Sequence, residues 1–478
     1  MLSPLHKKRM DYKPVIPILL QNIKKVHFKK QQSSLPIAHL KKLFPHTFHQ
    51  GSFVLEKGIG KQKEVKIGVV FSGGQAAGGH NVIGGIFDAG AEVIGFLNGP
   101  SGVVENKFRK IDTIDLFRNQ GGFDLLGSGR TKIETEEQLA ASLKTALFHK
   151  LDGLVIIGGD DSNTNAAVLA EYFFDKGCKT CVVGVPKTID GDLRSADIEL
   201  SFGFDSACKT YSEIIGNIAK DALSSKKYYH FIKLMGRSAS HIALECALKT
   251  QPNITLIAEE RKSLKEIIGN IVDVICRRFE KGKEYGMILI PEGLVEFIPE
   301  FNELVKDFNL EKDPHGNVQV SKIATEELII AEVKKELEKR KFKGNFNAQG
   351  HFLGYEGRSC MPSNFDANYC YSLGLLSFLA VREELTGVIC SIQNLRKKPS
   401  AWQLKMVPIL QLMHMESRLG KEKPVIRKVL VDMKSKSFVS FSALKKDWEI
   451  EDQYLYPGPI QFFGPEELTD SIPHTLME

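Results

Sequence analysis

The chain has 478 residues, 42% hydrophobic and 26% charged, with a net charge of +6, an ordinary globular composition with material for two or three domains of about 150 residues each. No apolar stretch reaches the ~20 residues that span a bilayer, and the start, MLSPLHKKRMDYKPVIPILLQ, lacks the apolar core and small-residue cleavage site of a secretory signal. Eight cysteines are scattered without the spacing of a disulfide framework, so reduced thiols and a cytoplasmic address are expected.

The charge is uneven. Residues 1–66 carry fourteen Lys or Arg against three Asp or Glu, and the remainder carries fifty against fifty-five. Such a basic leader can bind nucleic acid or lie as a solvated arm on its own acidic body. No arginine-rich block or RNA-binding signature accompanies it, which favours the second, with no nucleic-acid or membrane partner.

From residue 65 one rhythm repeats: a short apolar strand, a glycine- or aspartate-rich loop, then a helix. VKIGVVF leads to SGGQAAGGHN and a helical NVIGGIFDAG; LDGLVIIGG leads to a loop DDSNTN and the helix AAVLAEYFF. TCVVGV leads to PKTIDGDL, YHFIKL to MGRSAS and the helix HIALECALK, and YGMILI to PEGLVEF. Strands alternating with helices imply α/β architecture with two doubly wound, Rossmann-like parallel sheets. Ligands in such folds sit outside the carboxyl ends of the strands, where all the polar clusters fall. Cys178 and Cys181 form the one close pair, and with no second pair a metal or redox role is not expected. Segment 325–341, TEELIIAEVKKELEKRK, reads as an amphipathic scaffold helix.

SGGQAAGG is neither GxGxxG nor a P-loop. Its paired glycines either expose backbone N–H groups to an anion or serve close packing. In GGDDSN, one aspartate could cap the following helix, with Ser162 or Asn163 as rivals. Two in succession are harder to explain that way, because charges ~4 Å apart repel by about 4 kcal/mol at an effective dielectric of 20. A divalent cation relieves that repulsion, and magnesium takes one or two carboxylates with phosphate oxygens and waters. Asp160, beside the glycines, is the better metal ligand.

PKTIDGDL places Lys187, Asp190 and Asp192 in one loop, either as a surface turn or as chemistry: a carboxylate to take a proton from an alcohol and a lysine to stabilise transferred charge. The later strands add Arg237, Glu292, Tyr355 and Arg358, arginines suited to a phosphate and carboxylates to sugar hydroxyls. The set describes phosphoryl transfer to a phosphorylated polyol.

In this order SGGQAAGGHN, GGDDSNTNA, PKTIDGDL, KYYHFIKLMGRSASH, IPEG and GHFLGYEGR resemble the phosphofructokinases, and more narrowly their long pyrophosphate-dependent branch, from about residue 65 to PGPIQFFGP at 457–465. The resemblance implies a magnesium-dependent, reversible glycolytic step from fructose 6-phosphate and pyrophosphate to fructose 1,6-bisphosphate and phosphate. It implies Gly73, Gly74 and Arg130 on pyrophosphate, Asp160 on magnesium, and Asp190 as general base with Thr188, Ile189 and Asp192 beside it. Asp161 would exclude ATP at the place of its α-phosphate, and Lys187 would suit pyrophosphate.

Met235, Gly236, Arg237, Glu292, Tyr355, Glu356, Gly357 and Arg358 would line the sugar-phosphate site. Lys227 and Tyr228 would reach into a neighbouring subunit's site, making at least a homodimer. The implied domains are a basic extension (1–64), a pyrophosphate and magnesium domain (65–203 plus about 359–420), a fructose 6-phosphate domain (204–358) and a C-terminal segment (421–478). Rival expectations are an ATP-dependent phosphofructokinase and a non-catalytic regulatory subunit. Departures from the family pattern are Ala77 for proline, a shortened stretch between Glu300 and Asp313, and WQLKMVPI (402–409) and ESRLG (416–420) near the donor site.

Overall fold

The computed structural model describes residues 2–32, 36–300, 323–418, 421–469 and 472–476. The shortened stretch after Glu300 and the end of ESRLG lie outside them.

Nine strands form the first sheet: β1 (Val26–Gln31), β2 (Ser52–Lys57), β3 (Lys66–Phe71), β4 (Glu92–Phe96), β5 (Phe108–Ile111), β6 (Gly153–Gly158), β7 (Cys181–Pro186), β12 (Val388–Gln393) and β13 (Gln403–Pro408). The second holds β8 (Tyr229–Leu234), β9 (Ile254–Thr255), β10 (Gly286–Pro291) and β11 (Ala348–Leu353); a hairpin pairs β14 (Met413–Arg418) with β15 (Lys421–Ile426).

The first sheet runs β1-β2-β13-β12-β7-β6-β3-β4-β5. Its centre, β12-β7-β6-β3-β4, is parallel throughout. β6 and β7 are buried along their whole length, as unbroken apolar strands covered on both faces must be. The chain leaves β3 for β4 on one side and returns to β6 on the other. The order reverses between β3 and β6, so the loops after these two strands open onto one crevice, the place where such sheets bind ligands. The topology thereby sets SGG beside GDD.

The second sheet, β11-β8-β10-β9, is all parallel. The carboxyl ends of β8, β10 and β11 carry MGR, PEG and GYEGR. The amphipathic segment is a helix, Thr325–Lys339, burying Ile329, Val333 and Leu337.

Two local expectations need correction. DDSNTN is not a loop: the helix starts at Asp160 and runs to Asp175, with Gly159 as N-cap and no side-chain cap. Acidic residues in a first turn are favoured by the helix dipole, so the charges that looked like loop chemistry also start the helix. The basic leader is more than a solvated arm, since β1 and β2 extend the first sheet through antiparallel pairing of β2 with β13. Arg9, wholly buried, donates to Asn364 Oδ1 and the Pro362 carbonyl, each at 2.8 Å. Its guanidinium lies 4.4 Å from the Tyr12 ring centroid and 4.2 Å from that of Phe462.

WQLKMVPI packs well despite its departure from the family pattern. It forms β13, with Trp402, Leu404, Met406, Val407 and Ile409 buried. Among the described residues no helix is long and apolar enough to cross a membrane.

Candidate active site

The turn after β3 is shaped by the cations it must admit. Gly73 has φ +87°, and a β-carbon there would stand 3.1 Å from Lys187 Nζ; at Gly74 it would meet the Arg358 guanidinium at 2.8 Å. The positive φ of Gly73 favours glycine, and at both positions a β-carbon would push a cation aside. Lys187 Nζ donates to the Gly74 carbonyl at 2.7 Å. Burial, and then Arg358, push the Lys187 ammonium down to about 7. Ser162 Oγ donates to Ser72 Oγ at 2.8 Å, tying the turn after β3 to the first turn of the helix after β6.

Asp160 and Asp161 begin the helix that follows β6. Asp160 Oδ2 is buried and receives no hydrogen bond; Lys428 Nζ stands 3.8 Å away. Burial raises the Asp160 pKa, with Lys428 opposing and Asp161 adding to the rise. A buried carboxylate oxygen without a donor, at a cavity lined by three further carboxylates as well as by cations, fits a hard divalent cation that keeps most of its waters.

The loop Thr188–Asp192 closes the site from the β7 side. Asp190 N–H donates to Thr188 Oγ1 at 3.0 Å, and Ile189, 5% exposed, anchors the loop in the core. Gly191 has φ +73°, and a β-carbon there would press on the Phe204 ring at 2.9 Å. Asp192 is buried; burial, then Asp190 and Asp160, push its carboxyl up to about 7.

At the carboxyl ends of β8 and β10, Gly236 N–H donates to Glu292 Oε2 at 2.9 Å. Glu292 is buried and pushed up to about 7, chiefly by burial, with the Gly236 N–H opposing. Met235 is buried behind it. Glu356 accepts from the Gly354 N–H at 2.7 Å and so closes its own turn. Gly357 fits against Tyr211, whose ring a β-carbon would meet at 2.5 Å. Tyr355 is 65% exposed, with the Arg358 guanidinium 5.3 Å from its ring centroid.

Twelve of the expected residues line one cavity of ≈ 90 Å³: Gly73, Gly74, Arg130, Asp160, Asp161, Lys187, Thr188, Ile189, Asp190, Asp192, Arg237 and Arg358. Met235, Gly236, Glu292 and residues 355–357 do not line it. Lys227 and Tyr228 are not brought to this cavity. They precede β8 while Met235 follows it, and a six-residue strand separates the two ends by ~20 Å. Sequence reasoning missed Lys428, Ser162 and Gln75. Lys428 follows a strand remote from every glycine-rich loop, and nothing in its local pattern distinguishes it from a surface lysine.

Known proteins resemble this chain in sequence and fold. The phosphofructokinase family pattern matches residues 66–381. The pyrophosphate–fructose 6-phosphate 1-phosphotransferase of Treponema pallidum (strain Nichols) is 44% identical over 98% of this chain and 96% of its own length. Subunit beta 1 of the Arabidopsis thaliana enzyme is 47% identical over 91% of this chain and 87% of its own. The crystal structure of the pyrophosphate-dependent phosphofructokinase from Nitrosospira multiformis superposes with a TM-score of 0.61 at 17% identity, covering 81% of this chain and 92% of that one, a likeness of fold. With near-full-length identity of this order, the chain belongs to the phosphofructokinase family, in its pyrophosphate-dependent branch.

Proposed function

We propose that this chain transfers a phosphoryl group reversibly from pyrophosphate to the C1 hydroxyl of fructose 6-phosphate, giving fructose 1,6-bisphosphate and phosphate, as a cytoplasmic step of glycolysis. The observation that carries this reading is the paired first-turn carboxylates of the helix Asp160–Asp175 facing a buried lysine at the glycine turn. Asp161 adds a second negative charge where a longer nucleotide donor would have to pass, and juxtaposed like charges cost several kcal/mol at an interface, about enough to reject it.

In the forward direction the C1 oxygen attacks the nearer phosphorus, the P–O–P bridge bond breaks, and the hydroxyl proton passes to Asp190. Lys187 stabilises the charge on the transferring group, Arg130 binds the outer phosphate oxygens, and Arg358 lines the sugar-phosphate site. Arg237 and Glu292 hold the sugar phosphate and its hydroxyls. Asp160 would hold magnesium, which when bound neutralises part of the pyrophosphate charge. Lys227 and Tyr228, remote from their own cavity, would complete a partner's site in a homodimer.

Assay of the purified chain alone with pyrophosphate and with ATP tests the whole reading. Activity with pyrophosphate and little with ATP is expected. Preference for ATP would make it an ATP-dependent enzyme, and inactivity with both would leave a regulatory subunit.

A further inference from the structure

Lys428 lies outside every loop that the sequence singles out, yet its ammonium stands between the two halves of the cleft. On one side Nζ donates to Ser238 Oγ, in the loop after β8, at 3.0 Å. On the other it faces Asp160 Oδ2 at 3.8 Å. That oxygen is buried and receives no hydrogen bond, although an unobstructed ammonium–carboxylate pair closes to ~2.8 Å.

The backbone carrying this lysine is fixed on both flanks. Ile426 N–H donates to Thr164 Oγ1 at 3.2 Å and Val431 N–H to Glu259 Oε1 at 2.9 Å. Between them Val429 N–H donates to the Asp192 carbonyl at 2.8 Å, and the Val429 carbonyl accepts from His241 Nε2 at 2.9 Å. These bonds tie the segment to the phosphate-side helix, the catalytic loop and the sugar-side elements together. The flexible four-carbon stem of the lysine is what remains free to swing.

We propose that Lys428 is a placeholder cation of the donor site: it neutralises Asp160 while the site is empty and moves onto a phosphate oxygen when a divalent ion takes that carboxylate. This rests on reading the site as one for pyrophosphate with magnesium. A divalent ion and the Lys428 ammonium repel each other and so compete for the one buried carboxylate oxygen. Incoming pyrophosphate, however, brings more acceptor oxygens than a single metal ion can use. The exchange keeps the charge of the cleft near balance at each stage, and the loose 3.8 Å spacing suits a contact that must be given up.

The test compares the full-length chain with Lys428→Met, which keeps the stem and removes the charge. Manganese(II), standing in for magnesium, is titrated calorimetrically without donor, and KM is then measured for pyrophosphate and for fructose 6-phosphate. Removal of a competing charge ~4 Å away should tighten manganese binding roughly three- to tenfold. Loss of a phosphate ligand should raise the pyrophosphate KM by about tenfold or more, with the sugar-phosphate KM within about threefold. Lys428→Arg should restore most of the donor affinity. If the methionine variant melts early, Lys428→Gln is used with the same readouts. Unchanged or weaker manganese binding, or an unchanged pyrophosphate KM, overturns the proposal. A wild-type chain inactive with pyrophosphate would sink the functional reading instead, and the manganese titration would still decide the competition at Asp160.

Discussion

Lys187 Nζ donates to the carbonyl of Gly74 at 2.7 Å, and this bond joins the loop after β7 to the turn after β3 at the floor of the cavity. The lysine is 5% exposed, and burial, then Arg358, push its ammonium down to about 7. Pyrophosphate brought against it favours the charged form and raises that value. Above about pH 7 donor binding therefore takes up a proton, and donor affinity falls as pH rises until the bound-state pKa is reached. Calorimetry at pH 8 in two buffers of different ionisation enthalpy reads the uptake directly. Lys187→Met should lose it. Equal proton uptake in wild type and variant would assign the titration to Asp192 or Glu292.

Asp190, proposed as the general base, donates its backbone N–H to Thr188 Oγ1. Asp190→Ser should lower kcat by about 10²- to 10⁴-fold, the usual range for loss of a general base, while the fructose 6-phosphate KM stays within a fewfold. A variant with near-normal kcat would remove Asp190 from the mechanism.

The basic leader makes a stability prediction. Arg9 is buried between two aromatic rings and satisfies the Asn364 side chain and the Pro362 carbonyl. Arg9→Ala strands both acceptors and leaves a cavity, which should cost about 2–4 kcal/mol and lower the urea midpoint. Catalytic constants should stay near wild type wherever the variant is folded. An unchanged midpoint would mean that the leader packs without contributing to stability.

The parts of the site readable from sequence are those whose loops follow buried strands directly. SGG, GGDD and PKTIDGDL each combine a period-free apolar run with glycine and charge, and the fold needs only its strand order to bring them together. The helix start at Asp160 was hidden because acidic first-turn residues and acidic loop residues look alike until the N-cap is known to be Gly159. Lys428 was hidden for a different reason: it reaches the site through long-range pairing of a late segment with Thr164, Asp192 and Glu259, and no local pattern encodes that. The leader's buried arginine was equally silent, since composition records its charge and not its neighbours.

The position of Lys227 and Tyr228 yields a test by complementation. Both precede β8, a strand length away from the cavity of their own subunit, and Lys227 Nζ lies 5.4 Å from the Tyr228 ring centroid. If they serve a partner's pocket, Lys227→Ala and Arg358→Ala are each inactive alone. Mixed and allowed to exchange subunits, they should recover part of the wild-type activity through hybrid dimers carrying one intact site. Absence of recovery despite demonstrated exchange would mean that each subunit completes its own pocket.

Donor choice is the sharpest consequence of the paired carboxylates. Asp161 occupies the first turn of the helix without acting as its N-cap, and it lines the cavity. If it repels the α-phosphate of ATP, Asp161→Gly should raise kcat/KM for ATP relative to pyrophosphate. Each ~1.4 kcal/mol of relieved repulsion is worth about tenfold, so a ten- to thousandfold change in that ratio is expected. Adding Lys187→Gly should weaken pyrophosphate use further by removing a charge from the transferring group. The competing account is that Asp161 serves only the helix dipole, worth about 0.3–1 kcal/mol, with glycine adding its own cost in helix propensity. That account predicts a lower melting temperature and an unaltered donor ratio. A thermal melt run beside the two-donor assay separates the two, and an unchanged ratio with a lowered melting temperature would retire Asp161 as the gatekeeper.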